Sequence, residues 1–132
     1  MNIKPHIIID KTERAKKIKS QLIKKIKNRS LLQSNIIIVV GGDGFMLHSI
    51  KKYYKFNKPF YGINAGYYGF LMNKFSIKNF YKKLMVAKSI KVNPLQMIVK
   101  NKSNQIKKSI AINEVSVLRQ SKQAATITIS KG

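Results

Sequence analysis

NIIIVVGGDGFMLHS, residues 35–49, holds the reading of this chain. The β-branched run from Ile36 to Val40 lacks the alternation of a strand with one wet face and suits a strand buried on both. Cover on both faces calls for helices, and so for α/β layering. Gly41, Gly42 and Gly44 then turn the chain around Asp43. Phe45, Met46, Leu47 and Ile50 open a helix expected to run to about Tyr54, where Asn57-Lys58-Pro59 breaks it. A buried strand that ends in glycines and a helix start is where open α/β sheets bind ligands. Free amide groups of the first turn and the helix dipole favour an anion such as phosphate there.

Upstream of this stretch, His6 to Ile9 is expected to be a short strand. Asp10 with Glu13 three residues on has the form of a capping box, and Ala15, Ile18, Leu22 and Ile26 recur at helical spacing to about Lys27. Downstream, Phe60 to Ile63 is a strand that enters a second glycine cluster, and a helix is expected from Ser76, with Ile77, Phe80, Tyr81 and Leu84 on one side. Beyond Asn93-Pro94 the period changes to strands: Leu95 to Val99, Ile106 to Ile112, Val115 to Leu118 and Thr126 to Ile129. The expected organisation is therefore an α/β nucleotide- or phosphate-binding domain over residues 1–92 and the start of an all-β domain over residues 93–132.

Length and composition bound the rest. The chain has 132 residues, 44% of them apolar, and no apolar run near the roughly 18 residues of a membrane span. It has no secretory cleavage pattern and no cysteine, which fits a reducing compartment, and the expectation is a cytoplasmic protein without a membrane partner. The formal net charge of +23 would attract any polyanion. The lysines are spread along the whole chain without interleaved aromatics, so they read as solvated faces and not as a specific nucleic-acid site. Basic polyanion binding stays as an alternative function. His6 and His48 have no second ligand at metal spacing, and no metal ligand is assigned. Arg119 and Lys122 could reach nucleotide phosphates, but solvation is the plainer use.

Six of the seven glycines fall in two clusters, Gly41, Gly42 and Gly44, then Gly62, Gly66 and Gly69. Glycine serves where φ is positive or where the backbone must approach another group closely. The P-loop requires Lys-Ser/Thr after its last glycine, whereas Phe45-Met46 follows here, and the dinucleotide fingerprint would need a glycine where Leu47 stands. What remains is a carboxylate inside an anion-binding turn. Asp43 would repel phosphate unless it takes a proton from an attacking hydroxyl or helps to hold a metal, and the alternative is that it only caps the helix. Asn113-Glu114 puts polar groups in an apolar strand pattern, where they would need partners. An amide beside a carboxylate can grip ribose hydroxyls or a base edge, and a strand-edge turn accounts for the pair equally well.

Four stretches in order, VVGGDGFML (39–47), YGINAGYYGFLMN (61–73), AINEVSVLRQ (111–120) and SKQAATITIS (121–130), resemble NAD kinase, most of all its alphaproteobacterial members. Diacylglycerol and sphingosine kinase relatives carry a motif similar to GGDG; the second and third stretches separate them from this chain, and a lipid kinase is the lesser alternative. The resemblance implies transfer of the terminal phosphoryl of ATP to the 2′-hydroxyl on the adenosine side of NAD. By it Asp43 is the catalytic base. Asp43, Gly44, Phe70, Leu71, Asn113 and Glu114 face NAD, Phe70 and Leu71 lining its adenine region. Gly41, Gly42 and Gly44 shape the phosphate, or ATP, side. It also implies Mg²⁺ or another divalent ion carried largely by ATP, and a homo-oligomer in the full-length protein.

The fold expected is α/β, a Rossmann-like three-layer domain followed by the beginning of a β-sandwich. Family members continue past the strand matching Thr126 to Ile129, into a Gly-Asp-Gly-like turn and a Thr-Gly-Ser-Thr-Ala-Tyr-like segment that do not occur here. The chain therefore reads as the N-terminal part of an NAD kinase. It is either active once complete, or an inactive nucleotide-binding remnant or subunit of a split enzyme.

Overall fold

Ile36–Gly41 forms the middle strand of a parallel sheet, as its unbroken apolar run requires. The structure is a computed structural model and describes residues 2–131. In chain order the elements are β1 (Pro5–Ile9), α1 (Glu13–Ile23), β2 (Ile36–Gly41), α2 (Asp43–Tyr53), a short 3-10 turn (Tyr54–Phe56), β3 (Phe60–Asn64), α3 (Phe80–Val86), β4 (Leu95–Lys100) and β5 (Ile106–Ala111). The chain divides into two compact units between Val92 and Asn93.

In the first unit β2 pairs in parallel with β1 on one side and β3 on the other, with Ile7 and Tyr61 level with Ile38, and Ile8 and Gly62 level with Val39. Successive β2 residues point to opposite faces. Ile38 and Val40 join Ile7, Tyr61 and Ile63 in a core with Ala15, Ile18 and Leu22 of α1 and Phe80 and Leu84 of α3. Ile37 and Val39 pack with Met46 of α2 on the other side. All four of these β2 side chains are fully shielded, so the strand has helices on both faces. Burial of Tyr61 raises its phenol above the ordinary tyrosine value, because the phenolate would lose its hydration, and the ring stays protonated within the core.

Local chemistry moves several boundaries. Thr12, not Asp10, caps α1: its hydroxyl accepts the Ala15 amide at 3.2 Å, while Asp10 Oδ1 takes the amide of Lys11 at 2.7 Å. The helix stops at Ile23 instead of continuing to Lys27. A tight turn follows, in which Lys25 and Ile26 both donate to the Leu22 carbonyl, and Ile26 remains buried. α3 starts at Phe80, after Asn79, and not at Ser76; Ile77 still packs against the core from the preceding segment.

One side chain holds a whole turn. The Lys58 ammonium donates to the carbonyls of Leu31, Leu32 and Ser34 and to the Ser34 hydroxyl, the last at 3.2 Å. Lys58→Met keeps the apolar stem but removes those bonds, leaving the carbonyl of the buried Ser34 without this donor while the Leu31 carbonyl keeps the Ser34 hydroxyl. It is expected to cost about 1–3 kcal/mol, measured by urea unfolding.

The second unit contains the antiparallel hairpin β4–β5, with Leu95 opposite Ala111 and Lys100 opposite Ile106. Its turn is built by Asn101, whose side-chain oxygen accepts the amides of Ser103 (3.0 Å) and Gln105 (2.9 Å), with Asn104 left-handed at φ 59°. Val115 to Leu118 and Thr126 to Ile129 are not strands, contrary to expectation. Val117, Leu118, Ile127 and Ile129 are exposed. β-branched side chains favour a strand through the neighbours they pack against, and here they have none.

Candidate active site at the strand ends

Parallel register brings the exits of β1, β2 and β3 to one edge of the sheet. The Asp10 amide bonds the Val40 carbonyl at 2.9 Å, and the Ala65 amide bonds the Gly41 carbonyl at 2.8 Å. After the glycine loop the chain returns alongside β3: Asn73 exchanges backbone bonds with Gly62 and Asn64, and its side-chain amide adds a bond to the Gly62 carbonyl at 3.0 Å. This pairing fixes the base of the loop.

Gly42 is the N-cap of α2 and offers no side-chain bond to the first turn. A Cβ built at Gly42 or at Gly44 would meet nothing within 4 Å. The start of α2 is thus open, and its first amides are the groups a helix cannot satisfy for itself. None of the described glycines has a positive φ, so of the two reasons for glycine only close approach remains, and it acts at Gly41, Gly62 and Gly69. A Cβ at Gly41 would lie 2.7 Å from the Phe45 ring. One at Gly62 would lie 2.6 Å from Met72 Sδ and 3.0 Å from the Leu71 carbonyl oxygen, and one at Gly69 3.0 Å from Asp43 Oδ1.

Asp43 is the first residue of α2 and is half-buried. Its carboxylate does not cap its own helix. Oδ2 accepts the Phe70 amide at 2.8 Å and Oδ1 the Leu71 amide at 3.0 Å, across 27 and 28 residues of chain. A carboxylate has about four acceptor positions, so two remain for a hydroxyl or another donor. The Phe70 side chain is fully exposed and Leu71 half so.

The structure therefore brings Gly41, Gly42, Asp43, Gly44, Phe70 and Leu71 together in the first unit. Asn113 and Glu114 belong to the second unit. They follow the end of β5 at Ala111 and are exposed, so they lie outside the strand that the apolar pattern implied and carry no burial cost. Among the described residues no cluster of three or more His, Cys, Asp or Glu side chains could hold a metal ion. One ion pair occurs among them, Lys16–Glu13 on the exposed face of α1. His6 Nδ1 lies 2.9 Å from the Arg29 carbonyl, and His48 is exposed on α2.

Two contacts to the glycine loop were not anticipated. The Gly66 amide donates to Asn64 Oδ1 at 2.7 Å, and the Gly66 carbonyl accepts from Arg14 Nη1 at 2.9 Å. Asn two residues before Gly is a turn signature that could have revealed the first. Nothing local to Arg14 announces the second.

No family model matches the chain. Curated relatives do. The chain is 45% identical over 96 residues to the NAD kinase of Rickettsia bellii (strain OSU 85-389), covering 73% of this chain and 38% of the relative. It is 44% identical over 108 residues to that of Rickettsia canadensis (strain McKiel), covering 81% and 42%, and 42% identical over the same length to that of Rickettsia typhi (strain ATCC VR-144 / Wilmington). The chain spans about two-fifths of the length of the curated relatives it matches. It is a partial member of the NAD kinase family.

Proposed function

We propose that this chain carries the proton-accepting half of an NAD kinase site, which transfers the terminal phosphoryl of ATP to the 2′-hydroxyl of the adenosine ribose of NAD. The observation that carries this reading is the Asp43 carboxylate, held by two loop amides at the open start of α2 with acceptor positions to spare. In the reaction the 2′-oxygen bonds to the γ-phosphorus and the bond from that phosphorus to the β,γ-bridging oxygen breaks. ADP leaves, and the hydroxyl proton passes to Asp43. Gly41, Gly42 and Gly44 shape the phosphate side. Gly44 also faces NAD, Phe70 and Leu71 supply the apolar wall for adenine, and Asn113 with Glu114 binds ribose and base.

A divalent ion fits as part of the ATP substrate. The ATP phosphates carry that ion, and no residue of this chain is assigned to it. In this reading residues 1–92 are a Rossmann-like nucleotide domain and residues 93–132 the beginning of a β-sandwich domain. The full-length enzyme is a homo-oligomer working in the cytoplasm; no helix described is long and apolar enough to cross a membrane.

The two-fifths coverage of the relatives favours a second reading for the chain by itself, binding of nucleotide without turnover. A coupled assay for NADP from NAD and MgATP separates the two. It is run on the 132-residue chain and on the chain extended with the segments of the Rickettsia bellii relative beyond the matched residues. Turnover is expected in the extended protein and none, with retained NAD binding, in the chain alone. No NADP from either, and no NAD binding, would overturn the assignment.

A further inference from the structure

The loop from Gly66 to Leu71 is staked at both ends by side chains from all three strand exits. At its start the Gly66 amide is held by Asn64 Oδ1 from the end of β3, and the Gly66 carbonyl by the Arg14 guanidinium from the first turn of α1, after β1. At its end the amides of Phe70 and Leu71 are held by Asp43, after β2. Between the stakes Tyr67 and Tyr68 are more than nine-tenths exposed, so no core packing orders this segment.

We propose that Arg14 and Asn64 are positioning residues. They fix the first residue of the loop so that its last two amides meet the Asp43 carboxylate and set the direction of its free acceptor positions. A segment with two glycines and no buried side chain between its ends loses much conformational freedom when ordered. With Gly66 released, more of that cost falls on the two bonds to Asp43, although Ala65 and Asn73 still tie the loop to β2 and β3. The carboxylate cannot rotate without breaking both bonds, so loop and carboxylate orient each other. The guanidinium suits this task because its planar donors keep a fixed direction, whereas an ammonium acts as a point charge. The catalytic consequence rests on the reading of Asp43 given above; the mechanical coupling does not.

Amide hydrogen exchange on the 132-residue chain tests the coupling directly. In Arg14→Ala the exchange of the Phe70 and Leu71 amides is expected to rise about fivefold, the scale of one exposed charge-assisted hydrogen bond. The amides of Ile38, Val39 and Val40 and the thermal midpoint should stay unchanged. Asn64→Ala should act in the same direction, and Arg14→Lys, which keeps the charge but not the fixed planar donors, should recover only part of the protection. NAD affinity should weaken by about the same factor in Arg14→Ala, since the loop bearing Phe70 loosens. Unchanged Phe70 and Leu71 exchange in both alanine variants, or equal acceleration in β2, would overturn the proposal. Accelerated loop exchange with unchanged NAD affinity would uphold the coupling and overturn the placement of Phe70 and Leu71 against NAD instead.

Discussion

Asp43→Asn is expected to lower kcat for NADP formation in the extended protein by about 10²–10⁴-fold, the usual contribution of a positioned general base. The amide cannot take the 2′-hydroxyl proton at neutral pH. The substitution also has a second effect, because the Asp43 oxygens accept the Phe70 and Leu71 amides. Asn keeps one carbonyl oxygen and sets an NH₂ group against the other N–H, so one bond to the loop is replaced by two donors facing each other. That loss acts on the placement of Phe70 and should raise KM for NAD about five- to tenfold, as one lost hydrogen bond would. The two effects separate in steady-state kinetics: a large fall in kcat measures the base, a modest rise in KM the loop. A kcat within tenfold of wild type, with KM carrying the loss, would leave Asp43 only as the anchor of the loop. Arg14→Ala loosens the other end of the loop and leaves the base itself in place, so it should show the KM effect with a kcat loss far smaller than that of Asp43→Asn.

How far such a site can be read from the chain depends on the distance over which its parts act. β2 and the helix after it were legible because their causes are local: a β-branched run, glycines at its end, then helix formers. The place of Asp43 at the strand exit followed from that pattern. Its partners did not, since the Phe70 and Leu71 amides lie 27 and 28 residues further along and backbone donors leave no mark in a sequence. The Arg14 contact spans 52 residues and is invisible for the same reason. Clustering of the glycines was a true signal read for a broader cause than applies. Contacts to Phe45, Met72 and the Asp43 carboxylate limit positions 41, 62 and 69, and a positive φ limits none of the described glycines. The expected strands after Glu114 failed for the opposite reason. Their local pattern is sound, but a strand needs a partner and a covered face, and Val117, Leu118, Ile127 and Ile129 have neither a ladder nor burial.

Ile38→Ala is expected to destabilise the first unit by about 2–5 kcal/mol, the range for deleting most of a buried aliphatic side chain. Ile38 is fully buried in the central strand, level with Ile7 and Tyr61, in the core shared with α1 and α3. Backbone pairing on both sides limits how far β2 can move to close the cavity, which argues for the upper half of that range. For a unit of this size the melting temperature should fall by roughly 15–25 °C, against near-zero change for Leu32→Ala, whose side chain is 83% exposed. Val39→Ala removes less volume from the α2 face and should cost about 1–3 kcal/mol. Calorimetry of the three variants decides whether β2 is covered on both faces, since a strand with one wet face would make one of the two core substitutions nearly silent. The same series bears on the site. The Gly42–Asp43 turn leaves directly from β2 and the loop that holds Asp43 leaves from β3, so both are set by the sheet. Below the melting temperature of each variant, NAD affinity should therefore scale with the folded fraction. A loss of affinity in Ile38→Ala at temperatures where the unit is fully folded would mean that the core deforms the strand exits before it unfolds them.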